Sequence, residues 1–211
     1  MKLLKLLKVP EATRWQVGWW LGAQHLASPN FGPRPAHTDI SLAVIHAISL
    51  PPGVYGGDAI ERLFTNRLDW NAHPYFQSIR GLAVSAHFLI RRGGEVWQFV
   101  SCDDRAWHAG ASSWLGQGDC NNYSIGIELE GLEGTTFEAE QYGALSALLA
   151  ALRRRYPLRH VVGHEHIAPG RKGDPGCGFD WALLHTQVAW PASVFAAINA
   201  PKNAPKNANF P

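Results

Sequence analysis

A CxxC pair, an excess of one charge and long apolar runs are all missing from this 211-residue chain. Nineteen Lys and Arg nearly balance seventeen Asp and Glu, leaving +2, so there is no electrostatic case for nucleic acid or an acidic membrane surface as partner. No stretch approaches the roughly 20 apolar residues of a membrane span. Met1 to Lys8 alternates leucines with lysines, but Pro10 and Glu11 follow before any signal-peptide core develops. A cytoplasmic protein is expected. Three cysteines (Cys102, Cys120, Cys177) cannot all pair and form no CxxC, which predicts a reducing compartment without a disulfide framework. Also missing are GxxxxGK[ST], a GxGxxG after a strand, GxSxG and HExxH. Phosphate loops, serine nucleophile elbows and helix-borne zinc therefore find no support.

What is present can build a core. The chain is 46% hydrophobic and 17% charged, the balance of one folded domain rather than of a disordered chain. Pro201 to Ala208 repeats Pro-Lys-Asn-Ala without a large apolar residue and reads as a solvated tail. The expected division is an N-terminal extension over 1–17, one domain over 18–200 and a disordered tail over 201–211. Leu42 to Ile48 is a short apolar run, as in a buried strand. Asp58 could cap a helix through Thr65, with Glu61 completing a capping box. Val84 to Arg91 and Glu95 to Val100 flank Gly93-Gly94 as a hairpin. In Ser124 to Glu130, isoleucines and Leu129 alternate with Ser124, Gly126, Glu128 and Glu130, which sets both carboxylates on the face opposite the isoleucines. Ala139 to Tyr156 carries Tyr142, Leu145, Leu148, Leu149 and Leu152 at helical spacing, and Pro157 stops it. His160 to Gly163 reads as a brief strand, and Asp180 as the cap of a final helix to Val188. The pattern predicts a single α/β domain, a central mixed β-sheet flanked by helices.

Ten histidines offer many candidate ligands, but spacing alone separates few of them. His164-x-His166 sits at the end of a strand, and His164 shares a Gly- and Pro-rich loop with Asp174 that can fold two ligands onto one ion. Nine tryptophans are an excess typical of surfaces that stack on sugars or peptides, though a core absorbs them too.

Five ordered segments are more specific. They are Val44-Ile45-His46-Ala47-Ile48, Val84-Ser85-Ala86-His87-Phe88, Arg105-Ala106-Trp107-His108-Ala109-Gly110, Ser124-Ile125-Gly126-Ile127-Glu128-Leu129-Glu130, and Gly163-His164 through Lys172-Gly173-Asp174-Pro175-Gly176. Together they resemble the zinc-dependent type 2 N-acetylmuramoyl-L-alanine amidases, relatives of the peptidoglycan recognition proteins. The resemblance implies the fold of that family and one Zn²⁺ per chain held by His46, His164 and Asp174. Two imidazoles and a carboxylate leave a coordination position open, as hydrolytic zinc requires. It further implies Glu128 as general base and Lys172 as stabiliser of the oxyanion, with Trp107 and His108 lining a substrate-binding cleft.

The expected reaction is hydrolysis of the bond between N-acetylmuramic acid and L-alanine in soluble anhydromuropeptides, in the service of peptidoglycan recycling. The partner would be a small-molecule muropeptide; nothing indicates an oligomeric state. A lytic amidase acting on polymeric peptidoglycan and a non-catalytic peptidoglycan-binding module are the rival expectations. His87, His160 and His166 read as structural or exposed, and Arg171 as a loop surface charge. Ala47 stands where relatives often carry Asn, and Ala83 and the loop ending at Asp119 where they tend to carry Arg, which bears on how the stem peptide is gripped.

Overall fold

Six strands make the central sheet of the computed structural model, which describes residues 15–195. They are Gln24–His25 (β1), Leu42–Ile48 (β2), Phe88–Ile90 (β3), Val96–Gln98 (β4), Ser124–Glu130 (β5) and His160–Gly163 (β6). Five helices accompany them: Ala59–Phe64 (α1), Pro74–Ser78 (α2), Ala139–Arg155 (α3), His164–Ile167 (α4) and Trp181–Val188 (α5). The tail over 201–211 and most of the extension over 1–17 lie outside the described residues. Trp15 and Gln16 pair with Trp20 and Trp19, and Trp15 packs edge-on against Tyr156. The packed unit thus includes the last residues of the stretch assigned to the extension.

The strand order is β6-β2-β5-β3-β4-β1. The first four run parallel, β3 and β4 form an antiparallel hairpin, and β1 runs parallel to β4. This is the mixed sheet expected. β5 is buried along its whole length, as a strand with neighbours on both edges and cover on both faces must be. Ile125, Ile127 and Leu129 pack with Ile45, Val161 and Phe88 under Leu145, Leu148, Leu149 and Leu152 of α3. Helical and strand periodicities meet in that layer.

Among the described residues, no long helix packs in the clusters on the opposite face. Leu42, Val44 and Val162 pack there with Cys120, Tyr123 and Ile167, and Leu89 packs with Phe64 and Phe99 in a separate cluster. Arg34 reaches under this side, donating to the carbonyls of Cys102, Asn121, Asn122 and Ser124. Burial lowers its guanidinium pKa to about 10.

Two local expectations need correction. Asp58 is the N-cap of α1, but its side chain caps nothing and instead pairs with Arg62; Glu61 pairs with Arg91, so no capping box forms. A neighbouring guanidinium outcompetes a backbone N–H for each carboxylate. The hairpin strands are also shorter than the apolar runs. Gly94, at φ +84, closes the turn with its N–H on the Arg91 carbonyl.

Candidate active site

Register brings the site together. In the parallel pair β2–β5, His46 stands opposite Glu128. In β6–β2, Gly163 stands opposite Ile45, so the next residue, His164, arrives level with His46. Three neighbouring parallel strands therefore deliver His164, His46 and Glu128 to one row at their carboxyl ends, where open α/β sheets bind ligands. Asp174 returns to the same row from the loop after α4, which is tied back by the Glu165 N–H on the Asp174 carbonyl (2.9 Å).

The donor atoms converge. His46 Nδ1 lies 3.0 Å from His164 Nδ1 and 3.2 Å from Asp174 Oδ2, and His164 Nδ1 lies 3.2 Å from Asp174 Oδ2. All three residues are buried and form a group able to hold a metal ion. Protonation states suit that use. Burial lowers the His46 pKa to about 4, against the opposing pull of Asp174. Burial alone would raise the Asp174 carboxyl, but the imidazoles of His164 and His46, each 3.2 Å away, outweigh it and hold the group well below the usual range. His164 Nε2 donates to the Ala109 carbonyl (3.1 Å), which leaves its Nδ1 lone pair facing the cluster.

Beside the cluster, Glu128 is 9% exposed and its Oε2 is buried without a hydrogen-bond partner. Desolvation first, and the Asp174 charge second, raise its pKa well above that of a free carboxyl, while Lys172 acts to lower it. The other carboxylate of β5 serves elsewhere: Glu130 accepts from Arg91 Nη1 (2.6 Å) and the Gly56 N–H (2.7 Å), anchoring a loop.

A cleft of about 1010 Å³ opens over this row, and Glu128, His46, His164, Asp174, Lys172 and Trp107 all line it. Trp107 is 36% exposed. His108 reaches the wall too, but both its ring nitrogens are engaged, with His46 Nε2 (2.9 Å) and Ser124 Oγ (3.1 Å). Ala47 and Ala83 line the cleft; Asp119 is exposed at the N-cap position of the short helical turn Cys120–Asn122, with no side-chain capping bond. His87 is fully buried, accepting from the Gly126 N–H at Nδ1 and lying against the Asp104 carbonyl at Nε2. His166 Nδ1 accepts from the Gly163 N–H, and its ring packs on Trp181.

Arg171 is exposed on its loop, as expected of a surface charge, but its guanidinium is also engaged. It donates to the carbonyls of Ala109 and Ala111, both at 2.7 Å, clamping the Trp107–Ala111 stretch to the loop that carries Asp174. Its acceptors are backbone carbonyls about sixty positions away, which no local pattern announces.

The N-acetylmuramoyl-L-alanine amidase family matches residues 36–177, a span that contains all five motifs and the whole cluster. The 1,6-anhydro-N-acetylmuramyl-L-alanine amidase AmpD of Citrobacter freundii is 52% identical over 173 residues, 81% of this chain and 92% of its own length. A crystal structure of a selenomethionine AmpD derivative shares the fold with a TM-score of 0.80 at 50% identity, covering 82% of this chain and 98% of that one. The amidase AmiD from Escherichia coli, solved in complex with the substrate anhydro-N-acetylmuramic acid-L-Ala-D-γ-Glu-L-Lys, gives a TM-score of 0.53 at 30% identity, over 72% of this chain and 59% of that one. With half-identical relatives along most of its length and their fold around its buried His-His-Asp cluster, the chain belongs to the N-acetylmuramoyl-L-alanine amidase family and is an amide hydrolase.

Proposed function

We propose that the chain cleaves the amide between the lactyl group of 1,6-anhydro-N-acetylmuramic acid and L-alanine, using one zinc ion held by His46, His164 and Asp174. One observation carries this: three mutually close ligand atoms beside a buried carboxylate oxygen that has no partner. The donor set fits zinc. Tetrahedral ligands about 2.0–2.1 Å from an ion stand roughly 3.3 Å apart, and those of the cluster are separated by 3.0 to 3.2 Å. Zinc in that position supplies Lewis acidity toward an amide carbonyl and makes water a stronger acid.

Glu128 then moves the proton. Its carboxylate takes one from the water that attacks the carbonyl carbon and passes it to the L-alanine nitrogen as the C–N bond breaks. A carboxyl whose proton affinity is raised by burial suits both halves of that task. Lys172 offers its ammonium group to the carbonyl oxygen as negative charge builds. Trp107 presents an aromatic face to the apolar side of the sugar ring. The AmiD complex supports a muropeptide as the substrate. Free cysteines at 102, 120 and 177 support a reducing, cytoplasmic setting, and no helix among the described residues is long and apolar enough to cross a membrane.

Metal analysis of gently purified protein, with turnover measured on soluble anhydromuropeptide and on purified sacculi, tests the assignment. One zinc per chain and faster cleavage of the soluble substrate are expected. Full activity in metal-free protein would end the zinc assignment, and preference for sacculi would favour a lytic role. His164→Ala should abolish turnover and lower the melting temperature of the zinc-loaded protein, since a metal bound only by the folded state stabilises it by mass action.

A further inference from the structure

Resting on the metal assignment above, we propose that His108 is a positioning residue that accepts a hydrogen bond from His46 and so aims the Nδ1 lone pair of His46 at the metal position, with Ser124 and Gly126 forming its seat. The case begins with proton counting. A neutral imidazole carries one N–H. His46 Nδ1 faces His164 Nδ1 at 3.0 Å and Asp174 Oδ2 at 3.2 Å. Two tautomers compete there. With the proton on Nδ1, His46 donates to Asp174 and cannot ligate; with the proton on Nε2, it can. The second needs an acceptor at Nε2, and His108 Nδ1 supplies it at 2.9 Å.

The chain of donors closes consistently. If His108 Nδ1 accepts, its own proton sits on Nε2, 3.1 Å from Ser124 Oγ, which accepts in turn. The backbone on either side of the ring is pinned, since Asn121 Oδ1 accepts from the N–H groups of both His108 (3.1 Å) and Ala109 (2.8 Å). The ring lies directly on β5. A Cβ at Gly126 would come within 2.4 Å of His108 Cγ and 2.5 Å of Nδ1. Gly126 is not among the residues with positive φ, so the glycine is there for close approach and not for backbone freedom. Ser124, Gly126 and Glu128 share one face of β5. A single strand thereby provides the far acceptor, the space for the ring and the proposed general base.

Two substitutions separate this role from packing. His108→Leu removes the acceptor at similar bulk, whereas His108→Asn can return an oxygen near the position of Nδ1. In metal-free wild type, ¹⁵N NMR should find His46 mainly as the Nε2–H tautomer, shifting toward Nδ1–H in His108→Leu. Zinc affinity, measured by competition with a chelator, should fall about 10- to 100-fold in His108→Leu and recover in large part in His108→Asn. Both ring nitrogens of His108 are engaged by His46 and Ser124, so the loss of turnover in His108→Leu should follow its loss of bound zinc as the free zinc concentration is varied; turnover that does not rise with zinc occupancy would overturn the positioning role. An unchanged His46 tautomer with unchanged zinc affinity would overturn it as well. A wild type that binds no zinc would defeat the metal assignment, and the tautomer measurement would still decide what His108 does to His46. Should His108→Leu fail to fold, Ser124→Ala decides instead: a weakening of zinc binding by a few-fold supports the proposal, and wild-type affinity overturns it.

Discussion

Glu128 shows what one side chain at the end of a strand costs and returns. Its burial follows from parity, because the face of β5 opposite the isoleucines points under the cleft and not into bulk water. The same burial raises its pKa, with Asp174 adding to the effect. A carboxyl that titrates at higher pH in the folded state keeps its proton there after the unfolded chain has released its own. Stability therefore falls as pH rises from the unfolded value, about 4.3, through the folded one. Glu128→Gln removes this penalty together with the proton carrier. Turnover should drop by about 10² to 10⁴, zinc content should stay at one per chain, and the metal-free variant should melt above metal-free wild type by a margin that widens from pH 4 to pH 8. Thermal scans in chelator across that range check it. An equal margin at every pH would mean that the carboxyl is not strained by burial.

The elements best seen in the sequence are those whose burial repeats with a fixed period. β5 has the bounds its alternation predicts, Ser124–Glu130, and α3 runs Ala139–Arg155, one residue short of the expected end because Tyr156, before Pro157, turns extended. Asp180 caps α5 through the Leu183 N–H, as expected. Two-residue ribbons such as Trp15–Gln16 with Trp19–Trp20 are too short to carry a period. The clamp of Arg171 and the reach of Arg34 depend on carbonyls far along the chain. His164 and Asp174 share a loop that suggests a ligand pair from spacing alone, but His46 is legible only through resemblance to a family, since it lies more than a hundred positions from both and only strand register unites them. The layer beneath the site is independent of it chemically, which gives a clean test. Leu148→Ala, in the fully buried centre of α3 against β5, should cost about 2–5 kcal/mol in denaturant unfolding while leaving zinc affinity unchanged. A loss of zinc affinity would show that the sheet transmits packing defects to the row of ligands.

At the scale of the molecule, the balance of charge in the cleft should decide how a muropeptide is gripped. Arg171 and Lys172 are the lysine and arginine side chains lining it, and Arg171 already bonds to the Ala109 and Ala111 carbonyls. Ala83 lines the cleft without a charge, and Asp119 is exposed on a different turn. Bidentate capture of stem carboxylates by arginine thus has little support here. Apolar surface has more. Tyr75, Ile79 and Leu82 line the cleft along with Trp107, whereas Trp114 packs away from it against His160 and cannot share the stacking. Binding should then follow the sugar more than the peptide. Trimming the stem should raise KM only modestly and removing the anhydro sugar should nearly abolish cleavage. Raising the salt should change KM little, since few charged contacts are left to screen. Trp107→Ala should raise KM roughly two- to tenfold, the worth of an aromatic contact of about 0.5–1.5 kcal/mol, with zinc still bound at one per chain. Steady-state kinetics on intact, stem-trimmed and sugar-free substrates distinguish the two grips: a sugar-free L-alanyl amide cleaved as well as the full muropeptide would show that the aromatic wall contributes nothing to recognition.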